Sequence, residues 1–256
     1  MKCSLLLMAL VFALYTNAQY ADSLLSKPYY FKQLKTIESG NYVVRQVLKG
    51  KTLALSDLEI KAYTLSPGKG LRSPDRHAAS DVLVIIKEGE LVVKTGNKER
   101  KLGAGSIAFF MAGDEYTLSN AGTNPATYYQ LDYTGRGTRQ TGKADSTFAL
   151  DWNSLKTSGT GKGYRRDFFN RATSQVKQFE MHTTALNAGE ASHAAHTHIQ
   201  EEIILVLRGH VEMQMGDNFH EGDAGDLFFV TSNVPHALKN TGKEQCEYFA
   251  FQWRNQ

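Results

Sequence analysis

The sequence predicts an all-β fold made of two similar domains. Short stretches of alternating or consecutive apolar residues, such as IILVLRG from Ile203 and YFAFQW from Tyr248, are separated by Gly, Asp and Asn. That pattern is typical of strands joined by tight turns. Long amphipathic helical patterns are scarce, and 256 residues can enclose one large or two small cores.

An internal duplication supports the two-domain prediction. GSIAFFMAGDEYTLSNAG, from Gly105, aligns with GDLFFVTSNVPHALKNTG, from Gly225, at a spacing of 120 residues. The same spacing relates Gly89 to Gly209 and Asn120 to Asn240. Upstream, LEIKAYTLSPG aligns with FEMHTTALNAG at a spacing of 121, so one residue differs in the loop between. A repeat of about 100 residues of short strands indicates a barrel or sandwich, because closure protects sheet edges.

The domain limits follow from the repeat. We expect a first domain over residues 30–133 and a second over 151–256. Residues 134–150 between them include TGRGTRQTGKADST, which is rich in Gly, Thr and charge and is typical of a linker. The two copies should pack against each other.

The N-terminus predicts export. Lys2 precedes an apolar run from Leu5 to Leu14, and small residues stand at the positions expected before a cleavage after Ala18. Residues 1–18 are therefore interpreted as a secretory signal peptide, and the run is too short to span a bilayer. We expect a periplasmic or secreted protein with no membrane segment after cleavage. Cys3 would leave with the signal, so Cys246 is expected as a lone buried thiol.

Charge gives no sign of a polymeric anionic partner. The formal net charge is +3, and positive and negative residues are interspersed along the chain. Without a cluster of Lys and Arg, we expect no nucleic-acid binding. A small molecule is the expected partner, and pairing of chains into a homo-oligomer stays open.

A metal site is predicted in the second copy. His196 and His198 are two residues apart in HTHIQEE, a spacing that places both rings on one face of a strand. Glu202 follows four residues later, and His236 in NVPHALKN offers a fourth ligand from a neighbouring strand. Three imidazoles and a carboxylate suit one divalent transition metal, Mn, Fe, Ni, Cu or Zn, with positions left open for water or substrate.

These motifs resemble those of the cupin superfamily. The first cupin motif is matched by Gly189, by His196-Thr-His198 with Glu202, and by Gly209. The second is matched by Gly225-Asp226, by Pro235-His236 and by Asn240. The duplication extends the resemblance to a bicupin, which implies two tandem jelly-roll barrels, also called double-stranded β-helices. The family includes dioxygenases, decarboxylases, isomerases, lyases and aminohydrolases, as well as binding and storage proteins.

The first copy is expected to have lost the metal site. At the 120-residue spacing, the four ligand positions hold non-ligating residues or a tyrosine: Arg76, Ala78, Val82 and Tyr116. A shift of one residue instead gives Asp75, His77 and Asp81 at ligand spacing, the best case for a second metal.

Several other polar residues carry open alternatives. His193 is interpreted as a loop residue beside the site or as an acid–base group. Arg165 matches Arg45 of the first copy, which suggests a shared structural role. Arg166 and Arg171 have no such match and either bind a carboxylate or lie on the surface of an early strand. The remaining histidines receive no predicted role: His182, His210 and His220.

Three functions fit these observations. The preferred one is an exported metal-dependent enzyme acting on a small oxygen-rich molecule, such as a carboxylate, sugar acid or phenol. The second is a hydrolase similar to ureidoglycine aminohydrolase, although the ligand set differs from that enzyme's. The third is a non-enzymatic binding module. Catalytic residues are not identified from the sequence.

Overall fold

The computed structural model describes residues 23–70, 75–137 and 147–255. The predicted signal peptide, residues 1–18, and the middle of the predicted linker lie outside them. Two single-turn 3-10 helices cover Phe31–Gln33 and Trp152–Ser154. The first half of the chain contains these strands: β1 Lys27–Tyr29, β2 Thr36–Ser39, β3 Tyr42–Gly50, β4 Leu55–Leu65, β5 Asp81–Glu88, β6 Glu90–Thr95, β7 Lys98–Gly103, β8 Ile107–Phe110, β9 Thr117–Ser119 and β10 Ala126–Gly135.

The second half repeats the series of the first. Its strands are β11 Phe148–Leu150, β12 Thr157–Gly159, β13 Gly163–Arg171, β14 Gln178–Leu186, β15 Glu201–Arg208, β16 His210–Met215, β17 Asn218–Asp223, β18 Leu227–Val230, β19 His236–Asn240 and β20 Cys246–Arg254. The predicted all-β class is confirmed. No helix in the described ranges is long and apolar enough to cross a membrane.

Each half consists of one large and one small antiparallel sheet. The large sheets have seven strands, in the orders β11-β8-β5-β10-β4-β3-β2 and β1-β18-β15-β20-β14-β13-β12. The small sheets have three strands, β7-β6-β9 and β17-β16-β19. Each pair of sheets encloses its own apolar interior, so the two predicted jelly-roll barrels are present.

The first strand of each half pairs with the sheet of the other half. β1 joins β18 through Lys27 opposite Phe229, and β11 joins β8 through Phe148 opposite Phe109. Strands therefore reach into both ends of the predicted linker, residues 134–150: β10 continues to Gly135, and β11 begins at Phe148. The Gly-rich composition alone gave no sign of this exchange.

Both faces of the central strands are buried. In β15, Ile203 and Leu205 point into a core shared by the two large sheets, while Ile204 and Val206 point into the second barrel. This is the two-residue alternation of a strand with a hydrophobic layer on each side. Burial of an aliphatic side chain stabilises the fold by about 1.5–3 kcal/mol, so the shared core binds the halves tightly.

Two glycines at equivalent turns lead from the large sheet to the small one. Gly89 and Gly209 have φ angles of 78° and 87°. A Cβ at Gly209 would lie 2.6 Å from the Cβ of Cys246, and one at Gly89 would lie 2.7 Å from the Cα of Ala126. Only glycine fits both the backbone angle and this approach. Cys246 is buried and free, as predicted.

Candidate metal centre

The four predicted ligands come from three segments of the second barrel. His196 and His198 lie on the loop between β14 and β15, Glu202 is the second residue of β15, and His236 begins β19. The two loop histidines were expected on a strand, and the structure corrects this. Their loop is held in place because the backbones of His196 and His236 exchange hydrogen bonds of 3.2 and 3.0 Å.

The four side chains converge. One ligand nitrogen from each of His196, His198 and His236 lies within 4.8 Å of the other two. Glu202 Oε2 is 3.0 Å from His236 Nε2 and 3.6 Å from His198 Nε2. The separations are those of groups that surround one small ion, because metal–ligand bonds of about 2.0–2.2 Å place neighbouring donors roughly 3–4 Å apart.

The hydrogen bonds of the rings leave the correct nitrogens free for a metal. His198 Nδ1 lies 2.9 Å from the carbonyl oxygen of Gln200, and His236 Nδ1 lies 2.8 Å from that of Val234. A carbonyl oxygen only accepts, so each Nδ1 carries the hydrogen and each Nε2 keeps its lone pair. His236 Nε2 is buried, and its 3.0 Å approach to Glu202 lacks hydrogen-bond geometry. A divalent transition metal fits this donor set.

Charge favours the metal-binding protonation states of His196 and Glu202. Burial, followed by the neighbouring imidazoles, lowers the pKa of His196 and keeps that ring neutral. Burial raises the pKa of Glu202, but its contacts with His198 and His236 outweigh burial and bring this pKa down to about 2. Burial lowers the pKa of His236, but its contacts with Glu202 and with the carbonyl oxygen of Val234 outweigh burial and raise it. Neutral imidazoles and a carboxylate are the forms that bind metals.

The ligands line an open cavity of about 420 Å³ inside the second barrel. Apolar side chains such as Ile204 and Met213 form part of its wall, and polar groups of β13, β14 and β20 form another part. A structural zinc site is normally closed by four protein ligands, whereas a site that binds substrate keeps an accessible side. This centre has such a side.

A polar cluster on the cavity wall was missed by the sequence analysis. Glu180 Oε1 accepts a hydrogen bond of 3.0 Å from Arg165, and Glu180 Oε2 accepts one of 3.1 Å from Gln252. His182 Nδ1 lies 3.6 Å from the same carboxylate. The alternation of β14, in which Glu180 and His182 share one face, could have shown that both point inward with the ligands.

The arginine and histidine predictions have mixed outcomes. Arg165, interpreted as structural, lines the cavity. Arg166 instead stacks over the Trp152 ring at 4.0 Å and donates to the carbonyl oxygen of Leu155 at 2.7 Å, so its role is structural. Arg171 stacks over the Phe148 ring at 4.4 Å, away from the cavity.

His193 lines the cavity, with its ring centroid 4.1 Å from that of His196.

The surface histidines lie elsewhere. His210 is in ion-pair contact with Asp223 at 2.9 Å, on the β16–β17 hairpin, and His220 belongs to the same hairpin. Neither lines the cavity beside the metal ligands.

The first barrel has the same backbone arrangement at the position equivalent to the metal centre, but with different side chains. The backbones of Asp75 and Tyr116 exchange hydrogen bonds of 2.8 and 3.1 Å, as those of His196 and His236 do. Asp75 and His77 therefore take the places of His196 and His198, and the expected Arg76 and Ala78 do not. Val82 stands at the Glu202 position in the sheet register.

Asp81 is not part of that position, contrary to the shifted alignment. Its side chain points towards the junction between the halves, where it accepts hydrogen bonds from Ser174 Oγ of the second half at 2.6 Å and from Tyr133 Oη of the first half at 3.3 Å. A one-residue step along a strand reverses the direction of the side chain, so Asp81 and Val82 face opposite ways.

An ion-pair cluster fills the first-barrel site. His77 Nδ1 lies 2.9 Å from Asp132, and His77 Nε2 lies 3.2 Å from Asp75. Its contacts with Asp132 and then Asp75 raise the pKa of His77 to about 10, against the opposing effect of burial. A protonated imidazole between two carboxylates thus occupies the place of the metal ligands.

Comparison with known proteins agrees with this architecture. The chain is similar to (S)-ureidoglycine aminohydrolase of Arabidopsis thaliana, with 22% identity over 174 residues. That match covers 66% of this chain and 56% of the relative, so the chain matches little more than half of the relative's length.

Solved structures are similar over nearly the whole chain. AerE from Microcystis aeruginosa superposes with a TM-score of 0.66 at 15% identity, covering 91% of this chain and 98% of that one. A variant of Bacillus subtilis oxalate decarboxylase superposes with a TM-score of 0.71 at 11% identity, covering 91% and 78%. Likeness at this identity shows the fold alone.

A family model agrees with both halves. The model described as "Cupin domain" matches residues 47–132 and 182–251, which together exceed half of the chain and include all four metal-ligand candidates. With two barrels, the ligand geometry and this match, the chain belongs to the cupin family.

Proposed function

We propose that this protein is a metal-dependent enzyme that acts on a small oxygen-rich molecule, a carboxylate, sugar acid or phenol, in the second barrel. The observation that carries the proposal is the convergence of three imidazoles and Glu202 beside an open cavity with a partly polar wall. A divalent ion held there would polarise a bound carbonyl or carboxylate oxygen. The volume of about 420 Å³ suits a small ligand.

The protein groups set the character of the ligand. One carboxylate among the four metal-binding groups leaves a divalent ion with a net positive charge, which attracts anions. Lys162 adds positive charge at the wall, and its Nζ donates to the carbonyl oxygen of Ala191 at 2.8 Å beside the ligand loop. The charge of Arg165 is paired with Asp167 and Glu180. Apolar side chains such as Ile204 and Met213 line another part of the wall. A small anion with several oxygen atoms satisfies all three features.

Elemental mass spectrometry tests the metal site. On protein purified without added metal or chelator, we expect about one Mn, Fe, Ni, Cu or Zn per chain. His196→Ala and His236→Ala should each lose it during purification, since each removes one of the four donors and weakens the affinity for the metal. His210→Ala, on the surface hairpin, is the matched control and should keep it. A folded wild-type protein that takes up no metal would contradict the proposal.

Activity assays on the metal-loaded protein then separate enzyme from binding module. A panel of hydroxy acids, sugar acids and phenols would be followed by oxygen consumption and carbon dioxide release. Tight binding without turnover across the panel would favour the binding module.

A hydrolase of the ureidoglycine aminohydrolase type is the second candidate, on the ground of the curated relative. Ammonia release from ureidoglycine, dependent on His236, would support it. The candidate would be rejected if metal-loaded protein released no ammonia.

We further propose that the protein is exported. The support is the sequence of residues 1–18 alone, with Lys2, the apolar run and small residues before the expected cleavage site. Mass spectrometry of the protein from its native host should find a mature N-terminus near Gln19. An intact Met1 terminus on most of the protein would contradict export through this segment.

A further inference from the structure

The inner face of β14 carries titratable side chains that the metal site does not use. Glu180 and His182 project into the cavity that the metal ligands line. In the sheet register, Glu180, Gln252 and Glu202 form one row across β14, β20 and β15. Strands lie about 4.8 Å apart, so Glu180 stands roughly 10 Å from Glu202. A small ligand fits in that gap.

The imidazole of His182 lines the cavity and is left without a hydrogen bond at Nδ1. Its Nδ1 is buried and makes no hydrogen bond, and its 3.6 Å separation from Glu180 Oε1 exceeds hydrogen-bond length. Glu180 is fixed instead by Arg165 at 3.0 Å and by Gln252 at 3.1 Å. The pKa of Glu180 falls to about 2 through His182 first, then Gln252 and Arg165, so a carboxylate faces the imidazole at neutral pH.

The first barrel offers a comparison. There the equivalent pair is Glu59 and Lys61, with Lys61 Nζ 3.0 Å from Glu59 Oε2. A lysine beside a carboxylate is already protonated at neutral pH, whereas an imidazole can exchange a proton. The half that has the metal ligands therefore has at this position an imidazole, which can both donate and accept a hydrogen bond, and the other half has an ammonium group, which only donates.

We propose that His182 is a catalytic residue that accepts a proton from a ligand bound at the metal site, and that Glu180 positions it. The inference rests on the proposed function and deepens it. It assigns the ligand to acids with an ionisable hydroxyl group beside a carbonyl or carboxylate oxygen.

The step involves one proton and no electron transfer. The O–H bond of the bound hydroxyl breaks, its electron pair stays on the ligand oxygen, and the proton forms an N–H bond with Nε2 of His182. The resulting imidazolium turns its Nδ1–H towards the carboxylate of Glu180, which stabilises the charge. The surrounding charged groups are Glu180 on the same strand, and Arg165 and Asp167 on β13. Asp167 is the register partner of His182 and is ion-paired with Arg165 at 2.6 Å. β20 contributes the neutral Gln252 and Tyr248.

Proton counting by calorimetry tests this without knowledge of the natural substrate. Acetohydroxamic acid, a chelator that loses its hydroxyl proton when it binds a metal, is titrated into the metal-loaded protein at pH 7.5. Binding heats in phosphate and in Tris give the number of protons released, because these buffers differ in ionisation enthalpy. Wild-type protein should release close to none, since His182 takes up the proton.

Variants identify the acceptor. His182→Gln should release about one proton per ligand bound. His182→Lys places at this position the pair found in the first barrel and should keep the protein folded. It should nevertheless release about one proton, because an ammonium group is already protonated. Glu180→Gln should release an intermediate number of protons per ligand bound. Glu180→Asp, which keeps a carboxylate, should release a number closer to zero. Lys61→Gln, at the equivalent position of the other half, should match wild type.

Three outcomes would overturn the proposal. Equal proton release from wild type and His182→Gln would show that His182 takes up nothing. An increase in proton release in His193→Gln, with none in His182→Gln, would show that the proton acceptor is His193 on the ligand loop. Failure of metal-loaded wild type to bind the chelator would remove the open coordination position, and with it both this inference and the proposed function. The first two outcomes leave the proposed function standing.

Discussion

Two adjacent glutamates have opposite roles because successive residues of a strand face opposite sides. Glu202 points into the second barrel beside His198 and His236. Glu201 points into the junction between the halves, where it accepts hydrogen bonds from Thr52 Oγ1 at 2.5 Å and from the backbone nitrogen of Leu53 at 2.7 Å. The ligand and the junction contact thus occupy consecutive positions of β15.

Substitution of each glutamate by glutamine should separate the two roles. Glu201→Gln replaces an acceptor oxygen by a donor facing buried donors, so we expect a loss of about 2–3 kcal/mol in unfolding free energy with metal binding retained. Glu202→Gln should lose metal, and it should also destabilise metal-free protein, because contacts with His198 and His236 stabilise the buried carboxylate. Urea unfolding measures the free energy of unfolding, and elemental mass spectrometry measures the metal content. Loss of metal in Glu201→Gln, with metal retained in Glu202→Gln, would mean that the two faces of β15 are wrongly assigned.

A protonated histidine replaces the metal cluster in the first barrel. The folded protein raises the pKa of His77 from 6.5 to about 10, through its contacts with Asp132 and Asp75. A raised pKa means that the folded state binds the proton more tightly than the unfolded chain. Its contribution to stability is complete below pH 6.5 and is lost as the pH rises towards 10.

His77→Gln should therefore destabilise the protein in a pH-dependent way. At pH 6 we expect a loss of about 2–3 kcal/mol, because Asp75 and Asp132 lose the cation between them. At pH 10 the difference from wild type should be much smaller. Urea unfolding at both values measures this, with His210→Gln as the surface control. A difference that stays constant with pH would contradict the ion-pair interpretation.

At the level of strands, the sequence predicted what depends on local pattern. The alternation in β15 predicted a buried strand, and the spacing of His196, His198, Glu202 and His236 predicted four side chains that the structure brings together. The register of the first barrel was harder to predict, because the single-residue difference falls in the loop before β5. The backbone bridge between Asp75 and Tyr116 resolves it in favour of His77.

Long-range pairing could not be predicted. β1 and β11 each have three residues, and no local pattern indicates that each joins the sheet of the other half. The position of Glu180 and His182 beside the metal ligands was missed for a related reason. Strand alternation places His182 on the inner face, but only the sheet register brings β14 across the cavity from Glu202.

The two halves form one folding unit in the whole molecule. Their large sheets share one apolar core, and β1 and β11 are exchanged. Polar contacts repeat this symmetry: Asp81 accepts from Ser174 of the second half at 2.6 Å, and Glu201 accepts from Thr52 of the first. Neither half can open without exposing apolar surface of the other, so we expect a single cooperative transition.

Metal binding in the second barrel should therefore protect the first barrel as well. Hydrogen exchange monitored by mass spectrometry would compare amides of β5 and β15 with and without metal. A ligand that binds only folded protein at 100 times its Kd adds about 2.7 kcal/mol to global stability, so the slowest amides of both strands should slow about 100-fold. His236→Ala, which should not bind the metal, controls for unspecific ion effects. Protection of β15 without protection of β5 would show that the halves unfold independently and that the shared core does not couple them.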